Sequence, residues 1–130
     1  MRKLMVILVF ILGSTGNVYS QVIEYTAREF SMKFEGEWYP WEENHSKVSL
    51  DLDNDIVTIH SYVPQIYTIT GKTTALPDNR GHQVAFICTN ERNEKCIIRF
   101  RVQNNGRKQI YIDHEDGTIY VYTLTNSQIR

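Results

Sequence analysis

Cysteine is scarce in this chain of 130 residues: there are two, Cys88 and Cys96, and they do not form a Cys-x-x-Cys pair. That spacing argues against a thioredoxin-like redox motif, and two cysteines in one hairpin supply too few ligands for a structural zinc site. Catalytic signatures are missing too. The chain has no Gly-x-Ser-x-Gly elbow, no His-Glu-x-x-His pair and no glycine-rich phosphate cradle. Its four histidines, His45, His60, His82 and His114, are scattered. No catalytic residue, cofactor or metal site is therefore expected, and an enzyme without a linear motif is the least favoured reading. Helical periodicity is almost absent after Gln21, which leaves an all-β chain. No apolar run, Leu4–Leu12 included, approaches the roughly 20 residues of a membrane-spanning helix.

That one run belongs to a leader. Arg2 and Lys3 provide a positive start, Leu4 to Leu12 is apolar throughout, and Ser14 to Ser20 is small and polar. Charged, apolar and small-residue regions in that order predict a signal peptide over residues 1–20, cut after Ser20. The mature chain, 21–130, is expected to be one domain, secreted or periplasmic, without a transmembrane anchor. Losing the leader removes two of 14 basic residues and none of 15 acidic ones, leaving a net charge of −3. A faintly acidic domain has no global electrostatic reason to bind nucleic acid.

Short alternating runs rich in Val, Ile, Thr, Tyr and Phe follow one another between Asn, Asp and Gly clusters. They predict eight strands: 25–34, 47–52, 56–61, 65–73, 82–89, 95–103, 108–113 and 118–125. Short turns between regular strands predict an antiparallel meander, a small up-and-down barrel, with a β-sandwich as the alternative. The turns set registers. Asn54-Asp55 as a two-residue turn would pair Leu52 with Val57 and Leu50 with Ile59. Asn104-Asn105-Gly106 as a three-residue loop pairs Val102 with Lys108, Phe100 with Ile110 and Ile98 with Ile112. Asp116-Gly117 leaves two choices open: Ile119 and Val121 face inward, or Tyr120 and Tyr122 do.

Cys88 and Cys96 flank the turn Asn90–Glu94. Pairing them aligns Phe86 with Ile98 and Val84 with Phe100, on the face that the Asn-Asn-Gly loop selects independently. In an exported chain this pair is expected to form a disulfide, provided it occupies a non-hydrogen-bonded position.

Trp38, Tyr39 and Trp41 form the densest aromatic patch. They are read as a core plug closing one end of the barrel, with a ligand-lining or interface cluster as the functional alternative. The stretch Gly36-Glu37-Trp38-Tyr39 resembles the Gly-x-Trp-Tyr start of lipocalins. That resemblance implies an exported barrel holding a small apolar ligand. A looser pattern includes Val48-x-Leu50-x-Leu52, Ile59-His60-Ser61, Gln65-Ile66-Tyr67, Cys96-x-Ile98-x-Phe100 and Gln109-Ile110-Tyr111. It resembles small exported proteins of gut Bacteroidetes and transfers no site.

Lys95, Arg99, Arg101 and Arg107 fall on the face opposite Phe100, where Tyr111 lies across from Arg99. They read as an ordinary solvated face, or alternatively as an anion patch. Asp51-x-Asp53-x-Asp55 fails as an EF-hand, because Ile56 and Tyr62 stand where Gly and Glu are required. Asp113-His114-Glu115-Asp116 reads as a polar turn, and Asn44-His45-Ser46 as a glycosylation triplet.

The leading expectation is an exported non-enzymatic barrel binding a small apolar or amphipathic ligand. The alternative is a secreted protein-interaction or inhibitor module acting through loops and edge strands. N-terminal sequencing of the exported protein is expected to start at Gln21; retention of Met1 would remove the leader from the account.

Overall fold

Side-chain alternation and short turns together bend this chain into a closed ring. The computed structural model describes residues 22–72, 76–78 and 81–129, with the backbone alone for 76–78, 81 and 126–129. The expected leader and its cut site lie outside the described residues. The strands are β1 (Val22–Phe34), β2 (Glu37–Trp38), β3 (Glu42–Glu43), β4 (Lys47–Asp51), β5 (Ile56–His60), β6 (Gln65–Lys72), β7 (Leu76–Asp78), β8 (Gly81–Thr89), β9 (Lys95–Gln103), β10 (Lys108–His114) and β11 (Ile119–Ile129). The described residues contain no helix. Eight strands, β1, β4, β5, β6, β8, β9, β10 and β11, pair antiparallel in chain order, and β11 returns to pair with β1. The chain is thus an up-and-down barrel, and the sandwich is excluded. The predicted strands correspond to these eight. β2 and β3 pair with β1 outside the ring, and β7 pairs with β8.

The inward residues of successive strands fill the interior. Tyr25, Phe86 and Phe100 occupy its centre, with Phe100 only 1% exposed. The Phe100 ring stands 6.0 Å from Phe86, edge to face, and 6.4 Å from Tyr25. Ile23, Val48, Leu50, Val57, Ile59, Val84, Ile98, Ile110 and Ile112 pack around them. Near β10–β11, Tyr120 and Tyr122 settle the open choice by facing inward. Burying such side chains contributes about 1.5–3 kcal/mol each, and the Tyr25, Phe86 and Phe100 rings meet across the barrel centre.

Three hairpins share one turn geometry. In each, the first loop residue accepts from the fourth and donates to the fifth: Asn90 with Asn93 and Glu94, Gln103 with Gly106 and Arg107, His114 with Gly117 and Thr118. The fourth residue takes positive φ, at 61°, 86° and 94° respectively. That is a type I turn closed by a bulge, for which Gly106 and Gly117 carry no steric penalty. The predicted registers of β8–β9 and β9–β10 follow as expected, with Cys88 opposite Cys96 and Phe100 opposite Ile110.

Two expectations need correction. The β4–β5 register differs from the predicted one: Leu50 faces Val57 and Val48 faces Ile59. The turn is longer than two residues because Leu52 leaves the strand and buries itself. Asp51 then holds the turn, accepting from the backbone N and Nδ2 of Asn54. The shift is two residues, so the inward face is unchanged.

The second correction concerns the cysteines. Both are free and buried, without a disulfide. Asn90 donates its backbone N–H to Glu94, so Asn90–Glu94 is a hydrogen-bonded pair, and two steps along the ladder Cys88–Cys96 is one as well. At such positions the Cβ atoms stand near the wide end of cross-strand spacing, beyond the roughly 3.8 Å a disulfide prefers. Burial pushes the Cys88 thiol up to about 12 and the Cys96 thiol up to about 11, from an ordinary 9.0. Above pH 9 the unfolded chain loses its thiol protons while the folded barrel keeps them. The thiols' contribution to stability is therefore expected to be level below pH 9 and to fall as pH rises toward 12, measured by urea unfolding. The fall should be shallower in Cys88→Ala/Cys96→Ala; an unchanged slope would show that these thiols do not titrate on unfolding.

Candidate functional site

Residues 34 to 43 form an unbroken exposed run on the β1–β3 ribbon. The ribbon begins at a tight turn in which Glu35 and Gly36 both take positive φ, 52° and 82°. Two consecutive left-handed residues make a type I′ turn, whose twist matches the flanking strands. Phe34 then pairs with Glu37 and Lys33 with Trp38. The backbone N–H of Tyr39 donates to Met32, and the Ser31 hydroxyl donates to the Tyr39 carbonyl at 2.7 Å. The segment is fixed against β1, while among the described residues β2 and β3 pair with nothing on their far side.

Trp38, Tyr39 and Trp41 are 52%, 50% and 48% exposed, so they are not the core plug expected of them. Other aromatics line that end of the barrel, below a groove of about 490 Å3 that Gln65, Tyr67, His114 and Tyr120 border. Phe30 meets Tyr122 at 4.9 Å and Tyr120 at 5.6 Å, and His114 stacks edge-on against Tyr120 at 4.6 Å. Gln65 completes the layer: its Nε2 donates to the Tyr122 hydroxyl, and its Oε1 accepts from Tyr67 at 2.7 Å. The interior has no need of the two tryptophans, and the ribbon on which they sit lies outside the ring.

β1 carries a bulge between Ala27 and Glu29, which places Arg28 as an extra residue against β11. On the other side Asn44 donates its N–H to the Arg28 carbonyl, and the Asn44 side chain accepts from Ser46 at 2.8 Å. Between these kinks lies a groove of about 350 Å3 lined by Arg28, Glu29, Trp41, Glu42, Glu43 and His45. Bulges commonly re-aim side chains in this way. Glu43 contacts His45 at 3.0 Å, and Glu29 is held by Arg107 at 3.3 Å. A second groove of about 580 Å3 shares Arg28 and Glu29 and runs toward Asn105–Lys108. The sequence reading missed Arg28, Glu42, Glu43 and His45. The available signal was that residues 34–46 carry four glutamates around four aromatics and no lysine or arginine.

The four basic residues do not converge. Arg99 is ion-paired with Asp113: its Nη2 donates to Oδ1 at 2.9 Å, its Nε lies 2.6 Å from Oδ2 without hydrogen-bond alignment, and its guanidinium lies 4.5 Å above the Tyr111 ring. Arg107 is bound to Glu29, Arg101 lies in register between Gln83 and Gln109, and Lys95 has an exposed side chain at the start of β9. Tyr111 and Gln103 both donate to the Gln109 Oε1 at 3.0 Å, so a hydrogen-bonded polar layer covers this wall.

The acidic turns are likewise occupied. Glu115 accepts from the Lys95 backbone, and Asp116 accepts from the Thr118 N–H, which holds its carboxyl below the usual range. Searched against protein-family models and against curated proteins, the chain matches none.

Arg99 and Asp113 are only 25% and 27% exposed at their side chains. A double-mutant cycle on Arg99→Ala and Asp113→Ala, read by urea unfolding, is expected to give a coupling of about 1 kcal/mol. A coupling near zero would mean that Asp113 does not fix the guanidinium.

Proposed function

We propose that this protein is an exported, non-enzymatic interaction module that engages a protein partner through the ribbon from Phe34 to Glu43. One observation carries the reading: the interior is filled by Tyr25, Phe86, Phe100 and Ile98, while Trp38, Tyr39 and Trp41 stand half-exposed outside it. A ligand held inside a barrel needs a pocket of several hundred Å3 lined by apolar side chains, and here those side chains occupy the centre themselves. Surface tryptophan and tyrosine are costly to leave in water and are the residue types that most often anchor protein interfaces. The ribbon is braced by the type I′ turn and by β1, so its rings lose little further freedom on binding.

The test is affinity capture from the compartment into which the protein is exported, followed by cross-linking mass spectrometry. Trp38→Ala/Trp41→Ala, with an unchanged thermal midpoint, is expected to weaken retention of the partner by about thirtyfold or more. Cross-links should map to residues 34–43. Equal retention by the variant, or cross-links confined to other strands, would overturn the reading. So would a small molecule that co-purifies stoichiometrically with both proteins, which would restore the barrel-binder alternative.

A further inference from the structure

The ribbon's charge narrows the chemistry of its partner. Glu35, Glu37, Glu42 and Glu43 are all exposed, and no lysine or arginine lies between residues 34 and 46. The carboxylates of Glu35, Glu37 and Glu42 make no ion pair among the described residues, and Glu43 meets only His45. Elsewhere on the surface, acids that face basic residues are matched, as Asp113 is by Arg99 and Glu29 by Arg107. The ribbon therefore holds unmatched negative charge around unmatched aromatic surface.

We infer that the groove beside Trp41 receives a lysine or arginine side chain from a basic protein surface. This rests on the interaction-module reading and names the partner's chemistry. A cation is attracted to the face of an aromatic ring, most strongly to tryptophan, and the half-exposed Trp41 offers such a face within the groove. Glu42 and Glu43 line the same groove and supply carboxylates for a charge-assisted hydrogen bond. Arg28, on β1 beside β3, also lines the groove and makes no ion pair among the described residues. Glu29 is already held by Arg107 and Glu43 meets His45, which leaves Glu42 as the groove's unpaired acid. A volume of about 350 Å3 suits one long side chain, not a folded segment. Phe34, Trp38 and Tyr39 extend the contact beyond that side chain, which favours a protein surface over a free amine.

The chain's two tryptophans both lie on this ribbon, so intrinsic fluorescence reports on it directly. Deca-arginine at low salt serves as the probe and deca-glutamine as its neutral counterpart. A saturable emission change is expected with the cationic peptide alone. Glu42→Gln/Glu43→Gln should weaken the binding about fivefold or more. Asp53→Asn/Asp55→Asn changes net charge equally at the β4–β5 turn and should leave it unaltered. The inference is overturned by the absence of a saturable change, by equal responses to both peptides, or by equal weakening in the two charge variants. Comparison with the capture experiment separates the two proposals. Capture that depends on Trp38 and Trp41 but is indifferent to Glu42→Gln/Glu43→Gln keeps the interaction module and removes the cationic partner. Capture indifferent to the tryptophans removes both.

Discussion

Pairing between the first and last strands of the ring is the interaction on which the other features rest. From Ile23 opposite Ile129 to Lys33 opposite Ile119, β1 and β11 join the two ends of the meander. Without that seam the meander would be an open, curled sheet with two free edges, each presenting unpaired N–H and C=O groups. With it, every inward residue has neighbours on both sides, and Tyr25, Phe86 and Phe100 can meet across the interior. The seam is also where the sheet is least regular. Arg28 bulges from β1, changes which residues face inward, and bends the strand so that its far half extends to carry β2 and β3. The closure that completes the core thus also creates the ribbon outside it.

Charge on the barrel wall follows a different logic from charge on the ribbon. The wall over β9 and β10 looks basic in sequence, yet Arg99 is engaged by Asp113, Gln83 and the Tyr111 ring, and Arg107 by Glu29. Such a layer pairs much of its charge internally, Arg99 with Asp113 and Arg107 with Glu29. The ribbon has no such internal matching. The contrast is why an apparent cationic patch carries less functional weight here than four glutamates beside exposed aromatic rings.

Much of the fold was legible because a closed barrel imposes a simple rule, alternate residues inward, on every strand of its ring. The runs, apart from the Arg28 bulge in β1, and the registers around Cys88–Cys96 and Asn104–Gly106 obey it. The β4–β5 register was misread because Leu52, apolar and in phase with Leu50, looks like a continuing strand residue when it is a buried turn residue. The disulfide was misjudged because sequence gives which residues are opposite but not the phase of the hydrogen-bond ladder. That phase is set by the bulged turn at Asn93, where no glycine marks the positive φ. The candidate site was the least legible part. Hydrophobicity suggested that Trp38, Tyr39 and Trp41 were interior, and their segment lies outside the ring, where the inward-outward rule does not apply. The residues that do line that end, Phe30, Tyr67, Tyr120 and Tyr122, come from three separate strands.

The three matching turns between β8 and β11 also bear on how the barrel assembles. Each brings together residues only a few positions apart, so each hairpin can zip up from its loop at small entropic cost. Asn90, Asn105 and Asp116 assist by accepting backbone N–H groups within those loops before any distant contact exists. β1 has no such local help along its ring seam. As the first strand of the ring to be synthesised, it must wait for the last, some hundred residues later, with its edge unsatisfied in the meantime. The ring seam along β1 is therefore completed only when the other half of the molecule is already built.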